Sequence, residues 1–275
     1  MALRTRNRIR FPGGMTIEGI KIIFFDIGNV FVSDDPSACY AYERLFDRLH
    51  QAGKFHTPEE FFAERLEHIK QGGNLWSFVG QFVPPNEFAQ FQQDVRRQMY
   101  EQWGGLSPAI PAMEEAVKIL APHYRLGLIA NQPRQVRDVL QDRGLFDLFE
   151  VHGISEEVGL EKPNPEFFRW ALKKANVEAR EAMMIGDRAD NDVKPAKGLG
   201  MHTLWLKLGR EGRGWVPQTH FERCYAMGTE SFYFSDRAPR GPEEEPEFIA
   251  LSARHLVELL VDRTAAERIG GSAVP

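Results

Sequence analysis

Ile20-Lys21-Ile22-Ile23-Phe24-Phe25-Asp26-Ile27-Gly28-Asn29-Val30 is the stretch that decides the architecture of this chain. Up to Phe25 it is a largely apolar, β-branched and aromatic run, the composition of a strand buried in a parallel sheet. Asp26 closes the run, and Gly28-Asn29 behind it turns the backbone away. A carboxylate at the carboxyl end of a central strand lies where open α/β sheets form their ligand crevice. Taken alone, Asp26 reads equally well as a strand-end residue that caps the following turn.

Two charged clusters further along follow apolar runs in the same way. Ala182-Met183-Met184-Ile185 is a short buried strand, and Gly186-Asp187-Arg188-Ala189-Asp190-Asn191-Asp192-Val193 follows it directly. Between Asp26 and that cluster stands Lys162-Pro163-Asn164-Pro165, where prolines bracket a helix start and hold Lys162 just before it. A nucleophilic carboxylate, a metal-binding carboxylate and a charge-balancing lysine make one set for phosphoryl transfer, a chemistry of positioning and electrostatics. The competing readings are an exposed helix-start lysine for Lys162 and, for Asp190, a solvated surface acid.

The rest of the chain fits a doubly wound parallel sheet. Strands are predicted over 124–130, 149–154, 183–185, 202–206 and 248–251, and helices over 112–121, 134–143, 165–175, 195–199 and 253–260. Residues 34–107 form an all-helical insert after the first strand. Tyr40, Leu45, Phe46 and Leu49 recur at helical spacing there, as do Phe61, Phe62, Leu66 and Ile69, and Thr57-Pro58-Glu59-Glu60 is a helix-start signal. On periodicity alone the insert reads as a plain core αα-hairpin region. The core is assigned to 15–33 and 108–262, with 1–14 as a disordered basic tail. Residues 209–246, rich in Gly, Pro and charge, form an irregular excursion from that core. Its aromatics (Trp215, Phe221, Tyr225, Phe232, Tyr233, Phe234) are too many for a free linker and imply a small packed hairpin or a subunit contact in a homo-oligomer.

Bulk properties narrow the function. With 275 residues and 43% hydrophobic content the chain can bury a proper core. A net charge of −5 without a long basic stripe argues against a nucleic-acid partner. No apolar run approaches the roughly 20 residues that span a bilayer, and the Arg-rich start lacks the apolar segment of a signal peptide. These features imply a cytoplasmic protein with no membrane partner. Cys39 and Cys224 are far apart and show no metal-ligand spacing, which speaks against a disulfide framework or a zinc site.

The charged clusters together resemble the haloacid dehalogenase superfamily, on its phosphatase side. Phe25-Asp26-Ile27-Gly28-Asn29-Val30 resembles the first motif, in the variant with Gly-Asn where most members carry a second Asp. Leu128-Ile129-Ala130-Asn131 resembles the second motif, Lys162-Pro163-Asn164-Pro165 the third, and Gly186-Asp187 through Asp192 the fourth, the whole spanning residues 20–206. The resemblance implies a Rossmann-like core with a helical cap, and a small phosphate monoester, such as a sugar phosphate, as substrate. It implies Asp26 as nucleophile, forming an aspartyl-phosphate that water hydrolyses. Mg2+ would be held by Asp26, Asp187 and the Gly28 carbonyl. Lys162 would offset charge on the phosphoryl group, Asn131 and the Ala130 position would bind phosphate, and Asp192 would orient Lys162 or a metal-bound water.

Two departures stand out. Gly28 replaces the Asp that protonates the leaving group in most of the superfamily's phosphatases, help typically worth about 10²–10⁴-fold. Ala130 replaces a hydroxyl residue that donates to phosphate, a bond worth roughly 1.5–3 kcal/mol. The alternatives to a phosphatase are a metal-free 2-haloacid dehalogenase and a non-catalytic binding protein that keeps the fold.

Overall fold

The computed structural model describes residues 8–10, 16–71, 73–229 and 238–269. The quoted stretch forms β3 (Ile22–Phe25), after a short antiparallel pair, β1 (Arg8–Arg10) and β2 (Thr16–Glu18). That pair replaces part of the tail expected to be disordered. The remaining strands are β4 (Arg125–Ala130), β5 (Val151–Ile154), β6 (Ala182–Gly186), β7 (His202–Leu206) and β8 (Phe248–Ala250). Together with β3 they build one six-stranded sheet of order β5-β4-β3-β6-β7-β8, parallel at every pairing. The chain leaves β3 toward β4 and β5, then crosses back to β6 on the other flank of β3. That reversal makes the carboxyl ends of β3 and β6 the switch point at which such sheets open a crevice.

Strand pleating divides the core in two. Ile23 and Phe25 join Leu126, Leu128, Met183 and Ile185 against α6 (Pro111–Leu120), α7 (Val136–Asp142) and α12 (Ala253–Leu260). Ile22, Phe24, Ala182 and Met184 face α9 (Pro165–Ala175) and α10 (Lys194–Gly198) on the opposite side. Alternate residues of one strand thus serve different layers, as a period of two requires. The start of α9 is as predicted: Asn164 caps it by accepting from the Glu166 amide, with Pro165 at the first position.

Contacts divide the described residues into two units. The sheet unit takes Ala109–Arg213 and the described residues before Ser33 and after Asp236. The second unit takes Ser33–Pro108 and Gly214–Thr229. It is helical, with α1 (Asp35–Gln51), α2 (Pro58–Lys70), α3 (Leu75–Val79), α4 (Pro85–Glu101), the single turn α5 (Trp103–Leu106) and α11 (His220–Thr229). Thr57 and Glu60 close the capping box at the start of α2 that Thr57-Pro58-Glu59-Glu60 predicts.

Residues 209–246 depart most from the sequence reading. Instead of a wholly irregular excursion from the core, they contribute α11 to the helical unit. Phe221, Cys224 and Tyr225 share a buried cluster there with Tyr42, Phe61, Phe62 and Phe78. The Phe62 and Phe221 ring centroids are 4.9 Å apart, a well-formed aromatic contact. Phe232, Tyr233 and Phe234 lie outside the described residues. Among the described residues no helix is long and apolar enough to cross a membrane.

Candidate active site

Asp26 is the first residue past β3, and its amide donates to the Ile185 carbonyl of β6 at 2.9 Å, locking the strand end to its neighbour. Phe25 pairs with Ile185, so Asp187 stands just beyond Asp26 at the end of the adjoining strand. The Asp26 carboxylate is held through one oxygen: Oδ1 accepts from the Ile27 amide at 2.7 Å and lies 2.9 Å from Lys162 Nζ. Both side chains are buried. The Lys162 ammonium also donates to Asp192 Oδ1 at 2.5 Å, and Asp192 Oδ2 accepts from the Arg188 amide at 3.0 Å. Lys162 is therefore no exposed helix-start lysine.

The electrostatics follow from burial. Desolvation pulls the Lys162 ammonium downward, and the carboxylates of Asp192 and Asp26 more than offset it, so its pKa ends above the ordinary value. For Asp192 burial wins: its carboxyl is pushed up to about 6 even though Lys162 draws it down. Asp26, Asp187 and Asp192 each bring one oxygen into a group whose ligand atoms lie within 4.8 Å of one another. Three carboxylates against the single ammonium of Lys162 leave a net charge near −2 in a buried place. Oxygen-only donors with that surplus suit a hard divalent cation. Asp192 lies in this group with both its oxygens engaged, by Lys162 and by the Arg188 amide.

The structure adds Asn29, which sequence reasoning missed as a site residue. Asn29 adopts φ of 52°, in the left-handed region that Asn tolerates better than most residues. From there its Nδ2 donates to Asp187 Oδ2 at 3.1 Å. The Trp205 indole donates to the Asp187 carbonyl at 2.7 Å and fixes the same residue from β7. The Gly-Asn pair carried a turn signal in the sequence, but nothing there showed where the amide would point.

Two residues expected to bind phosphate have defined contacts of their own. Ala130 is fully buried, and its side chain lies in the apolar layer against α6, because the pleat of β4 sends residues 126, 128 and 130 that way. Asn131 spends its amide on Lys162: Nδ2 donates to the Lys162 carbonyl at 2.8 Å and Oδ1 accepts from the Lys162 amide at 2.7 Å. Asn131 thus positions the lysine. Asp190 is partly exposed and pairs with Arg188 through two bonds of 3.1 and 2.8 Å.

The parallel sheet carries a buried aspartate–lysine pair and an acidic cluster at its switch point. The chain belongs to the haloacid dehalogenase-like hydrolase family, which it matches over residues 20–200. It is 29% identical to the glyceraldehyde 3-phosphate phosphatase of Pyrococcus abyssi, over 70% of this chain and 83% of that protein. It is 27% identical to the phosphoglycolate phosphatase of Vibrio vulnificus, over 71% of this chain and 87% of that one. The solved structure of a haloacid dehalogenase-type phosphatase from Thermococcus onnurineus shares the fold with a TM-score of 0.57, at 20% identity, over 88% of this chain and 98% of that one.

Proposed function

We propose that this hydrolase cleaves a small phosphate monoester of the sugar-phosphate class through an aspartyl-phosphate on Asp26. The observation that carries the reading is the way Asp26 is held. Among the described residues the Ile27 amide and the Lys162 ammonium both hold its carboxylate through Oδ1, which assigns attack to Oδ2. As that oxygen bonds to phosphorus, the bond to the leaving oxygen breaks, and water later cleaves the acyl phosphate. Lys162 stands where it can offset the growing charge on the phosphoryl oxygens. Asp192 and Asn131 keep its ammonium and backbone in place.

The donor set fits Mg2+, with Asp26, Asp187 and the Gly28 carbonyl as its holders and Asn29 orienting Asp187. When bound, such an ion neutralises the cluster's surplus charge and polarises the phosphoryl group. Gly28 offers no acid to protonate the leaving oxygen, and the Asn29 amide is engaged with Asp187. The enzyme should therefore favour leaving groups that need little protonation. In this reading residues 34–107 are the cap and the protein works in the cytoplasm. A metal-free dehalogenase would have to draw an anionic haloacid toward a net negative cluster, which the charge count disfavours.

The test is Mg2+-dependent phosphate release from glyceraldehyde 3-phosphate, phosphoglycolate and a generic aryl phosphate. Asp26→Asn is nearly isosteric but has no anionic nucleophile, so turnover should fall by at least about 100-fold with the fold retained. A variant keeping more than a few per cent of the wild-type rate would rule out attack by Asp26.

A further inference from the structure

Glu59, His220 and Cys224 come together within the helical unit, and none of them is assigned above to phosphate chemistry. His220 and Cys224 are one turn apart on α11, so they share a face of that helix. Glu59 sits in the first turn of α2. His220 Nε2 is 2.9 Å from Glu59 Oε1 and 3.8 Å from Cys224 Sγ, and all three ligand atoms lie within 4.8 Å of one another. In a tetrahedral zinc site, bonds of about 2.05 Å to nitrogen and oxygen and 2.3 Å to sulfur put N···O near 3.3 Å and N···S near 3.6 Å. The observed separations straddle those values, so small side-chain shifts complete the geometry.

We infer that Glu59, His220 and Cys224 form a second metal site, for Zn2+ or a similar borderline ion, that pins α11 to α2. The donor chemistry separates it from the Asp26 cluster. Three carboxylates select a hard cation, whereas a thiolate and an imidazole with one carboxylate select zinc-like ions. Binding forms a metal–sulfur bond as the Cys224 thiol gives its proton to the buffer, and three protein ligands leave the fourth position to water. The backbone frame is set without the ion, because Phe62 and Phe221 already pack α2 against α11 beside it. The proposal departs from the sequence reading, which gives a zinc site no support from the spacing of Cys39 and Cys224. Cys224 finds its partners one helical turn back and on a helix distant in the chain, a relation that cysteine spacing alone cannot carry. The His220 and Glu59 side chains are 61% and 57% exposed, so an ion can enter from solvent.

Cobalt reports the site directly, because a thiolate ligand gives Co2+ a charge-transfer band that oxygen ligands do not. Co2+ is titrated into the full chain with Mg2+ in excess. One equivalent should raise the band in wild type and in Cys39→Ser, and Zn2+ should abolish it by displacement. Cys224→Ser should lose the band, and His220→Ala should need at least tenfold more Co2+ to reach it. His220 is too exposed for its loss to unfold the chain, so that variant remains informative even if Cys224→Ser folds poorly. Zn2+ should also raise the melting temperature of wild type and leave that of His220→Ala unchanged. No band at saturating Co2+, or a band that survives Cys224→Ser or is unaltered by His220→Ala, overturns the proposal.

Discussion

At the scale of single residues, Gly186 shows how little room the site allows. A Cβ built on it would lie 2.2 Å from Asp192 Oδ2 and 2.3 Å from Asp192 Cγ, a separation no real contact tolerates. Asp192 cannot retreat cheaply, because its two oxygens are tied to Lys162 and to the Arg188 amide. Gly186→Ala should therefore lower kcat by about 10–100-fold, the usual consequence of disturbing a supporting contact, and cost about 1–3 kcal/mol in urea unfolding. Gly198→Ala, with open space around its Cβ, is the matched control and should change neither. Asp192 also sets a pH dependence. Its carboxyl titrates near 6 in the folded protein against 3.8 as its ordinary value, so between those pH values the folded state holds the extra proton. Stability from this group is thus lost as pH rises through that window. Without divalent metal, Asp192→Asn should flatten the difference in urea midpoint between pH 4 and pH 6. An unchanged slope would mean another group dominates. Asp26, Asp187 and Lys162 were legible because each follows an apolar run or precedes a proline-marked helix, and Asp192 through the resemblance of its cluster to the fourth motif. Asn29, Ala130 and Asn131 were not, because their parts depend on where a side chain points, and that is set by a left-handed turn and by strand pleat.

At the scale of elements, α11 is the lesson. Its apolar residues Phe221, Cys224 and Tyr225 recur at helical spacing, but Gly209, Gly212, Gly214 and Pro217 before them and Pro239, Gly241 and Pro242 after them made the region look irregular. Ten residues between such breakers give a weak periodic signal, and only packing against α1 and α2 stabilises the helix. The β-strands and α9 were easier, since buried parallel strands and proline-capped helix starts announce themselves locally. The π-helical turn over Ala189–Val193 carries Asp192 back to Lys162. The aromatic seal around α11 can be tested. Phe221 is 8% exposed and contacts Phe62 and Phe46 at centroid distances of 4.9 and 5.4 Å. Phe221→Ala should destabilise the protein by about 3 kcal/mol and speed proteolysis within the helical unit. Met227, 75% exposed on the same helix, should tolerate alanine within about 0.5 kcal/mol. Equal effects at the two positions would mean that α11 is not packed as described.

At the scale of the whole molecule, sheet order and charge combine. Parallel pairing of β3 with both β4 and β6 brings strand ends from distant parts of the chain into one place, which is how Asp26, Lys162, Asp187 and Asp192 meet. The protein carries only a modest net charge of −5 over its full length, yet about −2 of uncompensated charge is concentrated and buried in this one cluster. Buried like charges oppose folding, and a cation that binds only the folded state opposes unfolding. Mg2+ at 100 times its dissociation constant should add about 2.7 kcal/mol of stability and raise the melting temperature by several degrees. Asp187→Asn separates the two contributions. The amide oxygen can still accept from Asn29, so the turn survives, while one negative charge disappears. The metal-free variant should melt at or above the metal-free wild type, and Mg2+ should move its melting temperature by less than a third as much. Chelation should return wild type, but not the variant, to a markedly lower melting temperature. If Asp187→Asn instead responds to Mg2+ as wild type does, the ion is held elsewhere and the cluster's surplus charge is met by protonation of Asp192.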